Sequence, residues 1–317
     1  MFSLLSYGEV LVDFLPGDDT NTTYLPLAGG APANVAVAYA KLGGHSYFAG
    51  GISRDTFGEH LYNELKSYGV DATYTARIAD ANTAIVLVSL DPDGERHFNF
   101  YRNDTADTRY QQKHIDLIDW QTIGVFHFCS NTLTTQSMYL NTVHAINRAK
   151  GNQVCVSFDV NLRQQLWQEA ALLPARVDEC LRLANIVKLS RDEANYLAQY
   201  FNEDAEKYVS RLLGYGVNLI VVTDGPRAVH LYSKLFTANV PVPVITPVDT
   251  TAAGDSFIGA FLFYLSQHLD NKDSLFTHTV ATQNIMLEAA KFAALCGAKT
   301  CQRKGAFSAL PSLEEIG

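Results

Sequence analysis

The sequence predicts a three-layer α/β/α fold around a mostly parallel central sheet, with a small β-sheet lid beside it. Three observations carry that expectation. Short apolar runs alternate with longer helical patterns along the 317 residues. Those runs are continuous rather than alternating, as strands buried on both faces are. Two other regions do alternate, as half-exposed strands do.

The continuous runs fall at residues 4–7, 46–50, 124–128, 154–158, 186–188 and 219–223. Helical patterns separate them at 33–41, 57–68, 135–149, 177–184, 191–200 and 205–213. This β-then-α rhythm predicts an open sheet with helices on both sides. In such sheets ligands bind beyond the carboxyl ends of the strands. Polar signals cluster there: Asp159-Val160-Asn161-Leu162-Arg163, residues 190–193, and Thr223-Asp224-Gly225.

The alternating regions span residues 10–27 and 83–101. Asp91-Pro92-Asp93-Gly94 lies within the second as a turn signal, so a hairpin outside the main sheet is expected. The chain reads as one unit over 1–317, its lid formed by about 10–28 and 83–108. An exposed lid sheet also offers apolar surface for a homodimer.

A formal charge of −9 argues against nucleic-acid and anionic-membrane partners. The five cysteines form no C-x-x-C pair and the nine histidines no H-E-x-x-H pattern, so reduced thiols and no metal motif of that kind are expected. His127, inside a strand, reads as a core residue. The first seven residues read as a strand rather than a signal peptide, and the apolar run 257–265 is far short of the roughly 20 residues a membrane span needs. A cytoplasmic protein is expected.

The chemistry centres on Asp249-Thr250-Thr251-Ala252-Ala253-Gly254-Asp255-Ser256-Phe257. Small residues crowd a turn, one carboxylate follows, and an apolar helix begins. The unpaired N–H groups and positive dipole end of such a helix favour an anion. Asp255 stands where a base would take a proton from a hydroxyl while those N–H groups hold a phosphate. The same segment also reads as an ordinary helix start with an Asp cap. Upstream, Ala28-Gly29-Gly30-Ala31-Pro32-Ala33-Asn34 opens another helix with paired glycines and a side-chain amide. Asp13 ends a strand and would accept hydrogen bonds from sugar hydroxyls. Arg102 and Arg163 suit phosphate or carboxylate, or are surface charges. There is no G-x-x-x-x-G-K-[ST] and no G-x-G-x-x-G after the first strand. A P-loop ATPase and an NAD-linked oxidoreductase both lose ground.

Together and in this order, these segments resemble the ribokinase-like (PfkB) carbohydrate kinase family. One signature runs from Gly29-Gly30-Ala31-Pro32-Ala33-Asn34 through Gly51, Asp55 and Gly58, and the other from Asp249 to Ala260. The resemblance extends from Gly8 to Gly305-Ala306, nearly the whole chain. Within the family the wording is most like that of fructokinases: Gly8-Glu9-Val10-Leu11-Val12-Asp13-Phe14, Phe100-Tyr101-Arg102-Asn103 with Ala106-Asp107, and Asp159 through Trp167.

The resemblance implies roles. Asp255 matches the family's catalytic base, and Ala252, Ala253 and Gly254 its anion hole. Asp13, Gly29, Gly30 and Asn34 match sugar-binding positions, with Tyr101 and Arg102 on the lid segment covering the sugar. Arg163 and Lys188 fall near the transferred phosphate. Ser190, Thr223, Gly225, Lys304 and Gly305 fall along the nucleotide. Glu193 matches the acidic position that organises Mg2+ through water, and Asp249 and Thr251 the loop for a monovalent cation such as K+. The chain departs from the family's usual wording at Ala252 (mostly Gly), Ser190 (often Asn) and Pro226, which removes an N–H donor. The implied reaction is transfer of the ATP γ-phosphate to a primary hydroxyl, fructose at O6 being the first choice. 2-Keto-3-deoxygluconate and ribosides are alternatives, and a non-catalytic sugar or nucleotide sensor is the alternative from another class.

Overall fold

The computed structural model describes residues 2–18, 20–91, 96–269 and 279–317. In chain order its strands are β1 (Ser3–Tyr7), β2 (Leu11–Pro16), β3 (Tyr24–Gly29), β4 (Ser46–Ala49), β5 (Gly51–Ser53), β6 (Ala76–Ile78), β7 (Ile85–Leu90), β8 (Arg96–Tyr101), β9 (Ile123–Cys129), β10 (Cys155–Asp159), β11 (Ile186–Ser190), β12 (Leu219–Thr223), β13 (Val229–Tyr232) and β14 (Thr237–Val240). The helices are α1 (Ala31–Lys41), α2 (Thr56–Ser67), α3 (Gln112–Ile115), α4 (Gln136–Gly151), α5 (Leu173–Leu183), α6 (Arg191–Tyr200), α7 (Ala205–Gly214), α8 (Ala253–His268), α9 (Val280–Cys301) and α10 (Leu313–Ile316).

Eight strands form the central sheet in the order β14-β13-β12-β11-β10-β9-β1-β4. From β12 to β4 every pairing is parallel, while β13 and β14 join antiparallel at one edge. The continuous apolar runs are explained by burial on both faces. On one face Phe126, Phe128, Phe158, Val187 and Ile220 pack with Ile146 of α4, Val177 of α5, Leu197 of α6 and Tyr208 of α7. On the other, Leu4, Val125, Cys155, Ile186 and Val221 pack with Tyr39 of α1, Phe261 of α8 and Ala289 of α9. Neighbouring residues of one strand thus serve opposite layers. All six expected strands and all six expected helices are present. The antiparallel edge, the short β5–β6 pair and α9 were not anticipated.

Helices start where the local chemistry lets them. Asp55 accepts the Gly58 N–H at 2.7 Å ahead of α2, and a Ser190–Glu193 capping box opens α6. Between α1 and α8 the backbones cross closely: a Cβ on Gly259 would lie 2.7 Å from the Ala38 Cβ. That crossing carries Asn34 to the mouth of α8.

The alternating regions form a separate four-stranded sheet, β3-β2-β7-β8. β7 and β8 pair antiparallel with Leu90 opposite Arg96, the expected hairpin. Of its turn signal Asp91-Pro92-Asp93-Gly94, residues 92–94 lie outside the described residues. All five cysteines are free thiols. Among the described residues no helix is long and apolar enough to cross a membrane.

Candidate active site

The carboxyl ends of β1, β9, β10 and β11 point their loops at one edge of the central sheet, facing the small sheet. Between them lies a cavity of about 420 Å3. The small sheet presents every second residue to it: Leu11, Asp13 and Leu15 from β2, Val86 and Val88 from β7, Phe98 and Phe100 from β8. This is the period-two geometry of a strand with one covered face. From the central sheet come Lys188, within β11, and Glu9, Asn131, Asn161 and Arg163, from the loops that follow β1, β9 and β10.

Asp255 sits in the first turn of α8 and is only 7% exposed. Its Oδ2 accepts the Asn34 amide at 2.7 Å, and its Oδ1 faces the Asn161 amide at 3.4 Å. Burial raises its pKa above the ordinary carboxylate range, against the Asn34 hydrogen bond and the charges of Lys188 and Arg163. The helix begins because Ala252 adopts a left-handed conformation, φ 59° and ψ 8°, which turns the chain sharply. Ala253 N–H reaches the Thr250 carbonyl at 3.3 Å and Ser256 N–H the Ala252 carbonyl at 2.8 Å. Among the described residues no acceptor meets the Gly254 and Asp255 N–H groups, so the positive end of a 16-residue helix opens beside the carboxylate.

Asp13 reaches the same cavity from the lid. Its carboxyl is pushed up to about 7, first by burial and then by Asp255, Glu9 and Asp249, with Arg163 opposing. Gly29 makes room for it: a Cβ there would lie 2.2 Å from Asp13 Oδ2. Gly30, at φ 110°, lines the cavity and starts α1. Lys188 is buried and donates to Asp159 Oδ2 at 3.0 Å. Burial works against its charge, but Asp159, Glu193 and Asp255 outweigh that and raise its pKa. A Cβ on Gly254 would lie 2.9 Å from its Nζ.

A second cavity, of about 460 Å3, adjoins the first and shares Thr250, Ala253 and Gly254 with it. Thr223 and Gly225 line it as expected. Its remaining wall is apolar: Pro226, Val229, the loop from Val242 to Pro247, and Phe257, Ala294, Gly297 and Ala298 on α8 and α9.

Asp249 ties the approach to α8 together. Its Oδ1 accepts from the Thr251 N–H and hydroxyl at 2.9 and 2.7 Å, and its Oδ2 from the Gly305 N–H at 3.1 Å. Gly305 lines the first cavity, whereas Lys304 is exposed outside both. Six other expected residues also stand apart from the linings of these two cavities: Gly29 and Asp249, placed above, and Tyr101, Arg102, Ser190 and Glu193. Tyr101 follows Phe100 on β8, so the alternation turns it to the opposite face, where it is 59% exposed. The Arg102 side chain, only 4% exposed, is committed to Asp107 Oδ2 at 2.6 Å and the Asn131 carbonyl at 3.2 Å. Both oxygens of Glu193 accept main-chain N–H groups at 2.7 Å, from Leu162 and Ser190, and the Ser190 hydroxyl caps α6. Conversely, Glu9, Asn131, Asn161, Phe98 and Phe100 were missed as site residues. For the three polar ones the signal was available, since each directly follows a central strand.

The profile of the pfkB family carbohydrate kinase matches residues 1–313. The chain is 37% identical to the "Probable fructokinase-5" of Arabidopsis thaliana over 98% of its own length and 94% of that protein's. It superposes with a TM-score of 0.94 on a fructokinase with bound ATP from Xylella fastidiosa, at 36% identity, covering 99% of this chain and 96% of that one. With a fructokinase from Vibrio cholerae O395 in its fructose-, ADP- and calcium-bound form the TM-score is 0.87 at 33% identity, over 100% and 98% of the two chains. The chain belongs to the pfkB family of carbohydrate kinases.

Proposed function

We propose that this protein is an ATP-dependent fructose kinase that phosphorylates the sugar at O6. The observation that carries the reading is the position of Asp255. It lines the polar cavity one residue after Gly254, which both cavities share, and lies beside helix-end N–H groups without protein acceptors. The polar cavity takes the sugar, and the apolar one takes the nucleotide base. In this reading Asp255 accepts the proton of the attacking hydroxyl. The open N–H groups of Gly254 and Asp255, with Lys188 and Arg163, hold charge on the moving phosphoryl group, whereas the Ala253 N–H of the expected anion hole is turned to Thr250; positioning and electrostatics supply most of the rate. Asp13 and Asn34 orient the sugar, and the lid sheet excludes water.

Among the described residues no three His, Cys, Asp or Glu side chains gather to cage a metal. Mg2+ would be carried on the phosphates of ATP, with Glu193 the carboxylate that would reach it through water. When bound, the ion neutralises phosphate charge. The sugar-acid alternative loses support because Arg102, expected to hold a carboxylate, is buried against Asp107. Tyr101, exposed on the lid face turned away from the cavity, supports a homodimer through the lids. Light scattering reporting a monomer at working concentration contradicts that assembly.

ADP release measured with fructose, 2-keto-3-deoxygluconate, ribose and adenosine tests the function. The expected result is fastest turnover with fructose. Preferred turnover of another sugar, or none with any, overturns the reading.

A further inference from the structure

Behind the first cavity lies a buried polar cluster that the phosphoryl-transfer machinery does not use. Glu9 follows β1, Asn131 follows β9, and both line the cavity. The Asn131 amide donates to Glu9 Oε1 at 2.9 Å. The other oxygens of this pair, Glu9 Oε2 and Asn131 Oδ1, are buried without a hydrogen-bond partner. Two orphaned acceptors at one cavity wall call for donors, and an unmet buried acceptor is costly. A sugar hydroxyl supplies an O–H; a substrate carboxylate supplies none.

Arg102 stands on the far side of this pair. Nε bonds Asp107 and Nη1 bonds the Asn131 main-chain carbonyl, so the guanidinium fixes the backbone that carries the Asn131 amide. Its third nitrogen, Nη2, is buried and unpartnered. Burial pushes the Glu9 pKa up, and the Arg102 charge is the largest influence holding it down. Nothing in this arrangement requires Arg102 to leave its pocket.

We propose that Glu9 and Asn131 form a second hydroxyl-reading pair in the sugar cavity, and that Arg102 is a positioning residue that acts through this pair without touching the sugar. The inference rests on the fructose-kinase reading and deepens it. It makes the cavity selective for a neutral polyol by a route independent of Asp13 and Asn34.

The test is a double-mutant cycle on the full chain with E9Q, R102K and the combination. E9Q preserves shape but replaces one acceptor oxygen by a donor. It is expected to raise the fructose KM roughly 10- to 100-fold, the worth of a hydrogen bond to a charged group. kcat should move far less and the ATP KM should not follow. R102K keeps a positive charge near Asp107 while losing the fork, and should raise the fructose KM in the same direction. The combined variant should be no worse than E9Q alone. Multiplying penalties would mean that Arg102 reaches the sugar independently, which overturns its positioning role. A fructose KM unchanged in E9Q overturns the pair itself. Thermal shifts keep the result readable. Each variant must still gain Tm with ATP, which shows a folded site, while the gain with fructose shrinks in E9Q. If the wild-type protein gains no Tm with fructose, the substrate reading fails; if wild type and E9Q gain equally, only the pair fails.

Discussion

The two cavities meet at Thr250, Ala253 and Gly254, yet they are built in opposite ways. The first gathers Glu9, Asp13, Asn34, Asn131, Asn161, Arg163, Lys188 and Asp255 around one space. The second is walled by Val242, Pro243, Ile245, Phe257, Ala294 and Ala298 with little polar lining beyond Thr223 and Thr250. A hydroxyl-rich ligand must be read atom by atom, because each buried polar group needs its partner. A nucleotide base needs chiefly a flat apolar slot, with its phosphates held by main-chain N–H groups. The difference teaches that perturbations of the two cavities should separate cleanly into sugar effects and nucleotide effects.

The largest separable effect is expected at Gly29. Gly29→Ala places a Cβ against the Asp13 carboxylate, so the fructose KM should rise roughly 10- to 100-fold, with the ATP KM unchanged. Steady-state kinetics in both substrates check this, and a matched rise in both constants breaks the separation. The counterpart is Ala298→Phe, which fills the apolar slot. An overpacked site of this kind costs about 1–3 kcal/mol, so the ATP KM should rise by roughly tenfold while the fructose KM holds.

Smaller effects concern stability. Asp13 is pushed up to about 7 in the folded protein, above its unfolded value of about 3.9. Between those values the folded state binds more protons, so the stabilisation is full below about pH 4 and is lost as pH rises through about 7. Asp13→Asn removes that loss. Urea unfolding of the ligand-free protein should show the variant gaining about 1–2 kcal/mol on wild type between pH 5 and pH 8, after discounting for water in the open cavity. A gap independent of pH contradicts the assignment. Smallest is Ala252→Gly. The left-handed Ala at φ 59° costs about 1 kcal/mol, and Gly regains part of it while adding unfolded-state freedom. Stability should rise by no more than about 1 kcal/mol; a clear loss would show that the Ala252 methyl contributes packing that outweighs the backbone gain.

The same contrast explains what was legible in the sequence. The central strands were plain because both-face burial leaves continuous apolar runs. Asp255, Asn34 and the two glycines were legible only as small and polar residues at two helix mouths, a pattern that ordinary helix starts share; the family resemblance is what singled them out. Tyr101 was misplaced by reading the lid as a segment instead of following its alternation, which turns Phe98 and Phe100 inward. Arg102 and Glu193 look like ligands in a sequence, because a charged residue does not announce that its partners are Asp107 or two backbone amides. Beyond Thr223 and Gly225 the wall of the second cavity left no trace: Val242, Ala294 and Ala298 are indistinguishable from core residues until α9 and the 242–247 loop are folded beside α8. The antiparallel edge β13–β14 was hidden for a similar reason, since two four-residue strands carry too short a pattern.

The central claim is that the Asp255 carboxylate, in the polar cavity beside the residues the two cavities share, takes the hydroxyl proton. It is tested most directly by Asp255→Asn, with kcat and fructose-induced thermal shift measured on the same preparation. The account predicts a kcat lower by roughly 10^3-fold, as befits loss of a general base, with the fructose shift largely retained. A near-normal kcat in a folded, fructose-binding variant would contradict it.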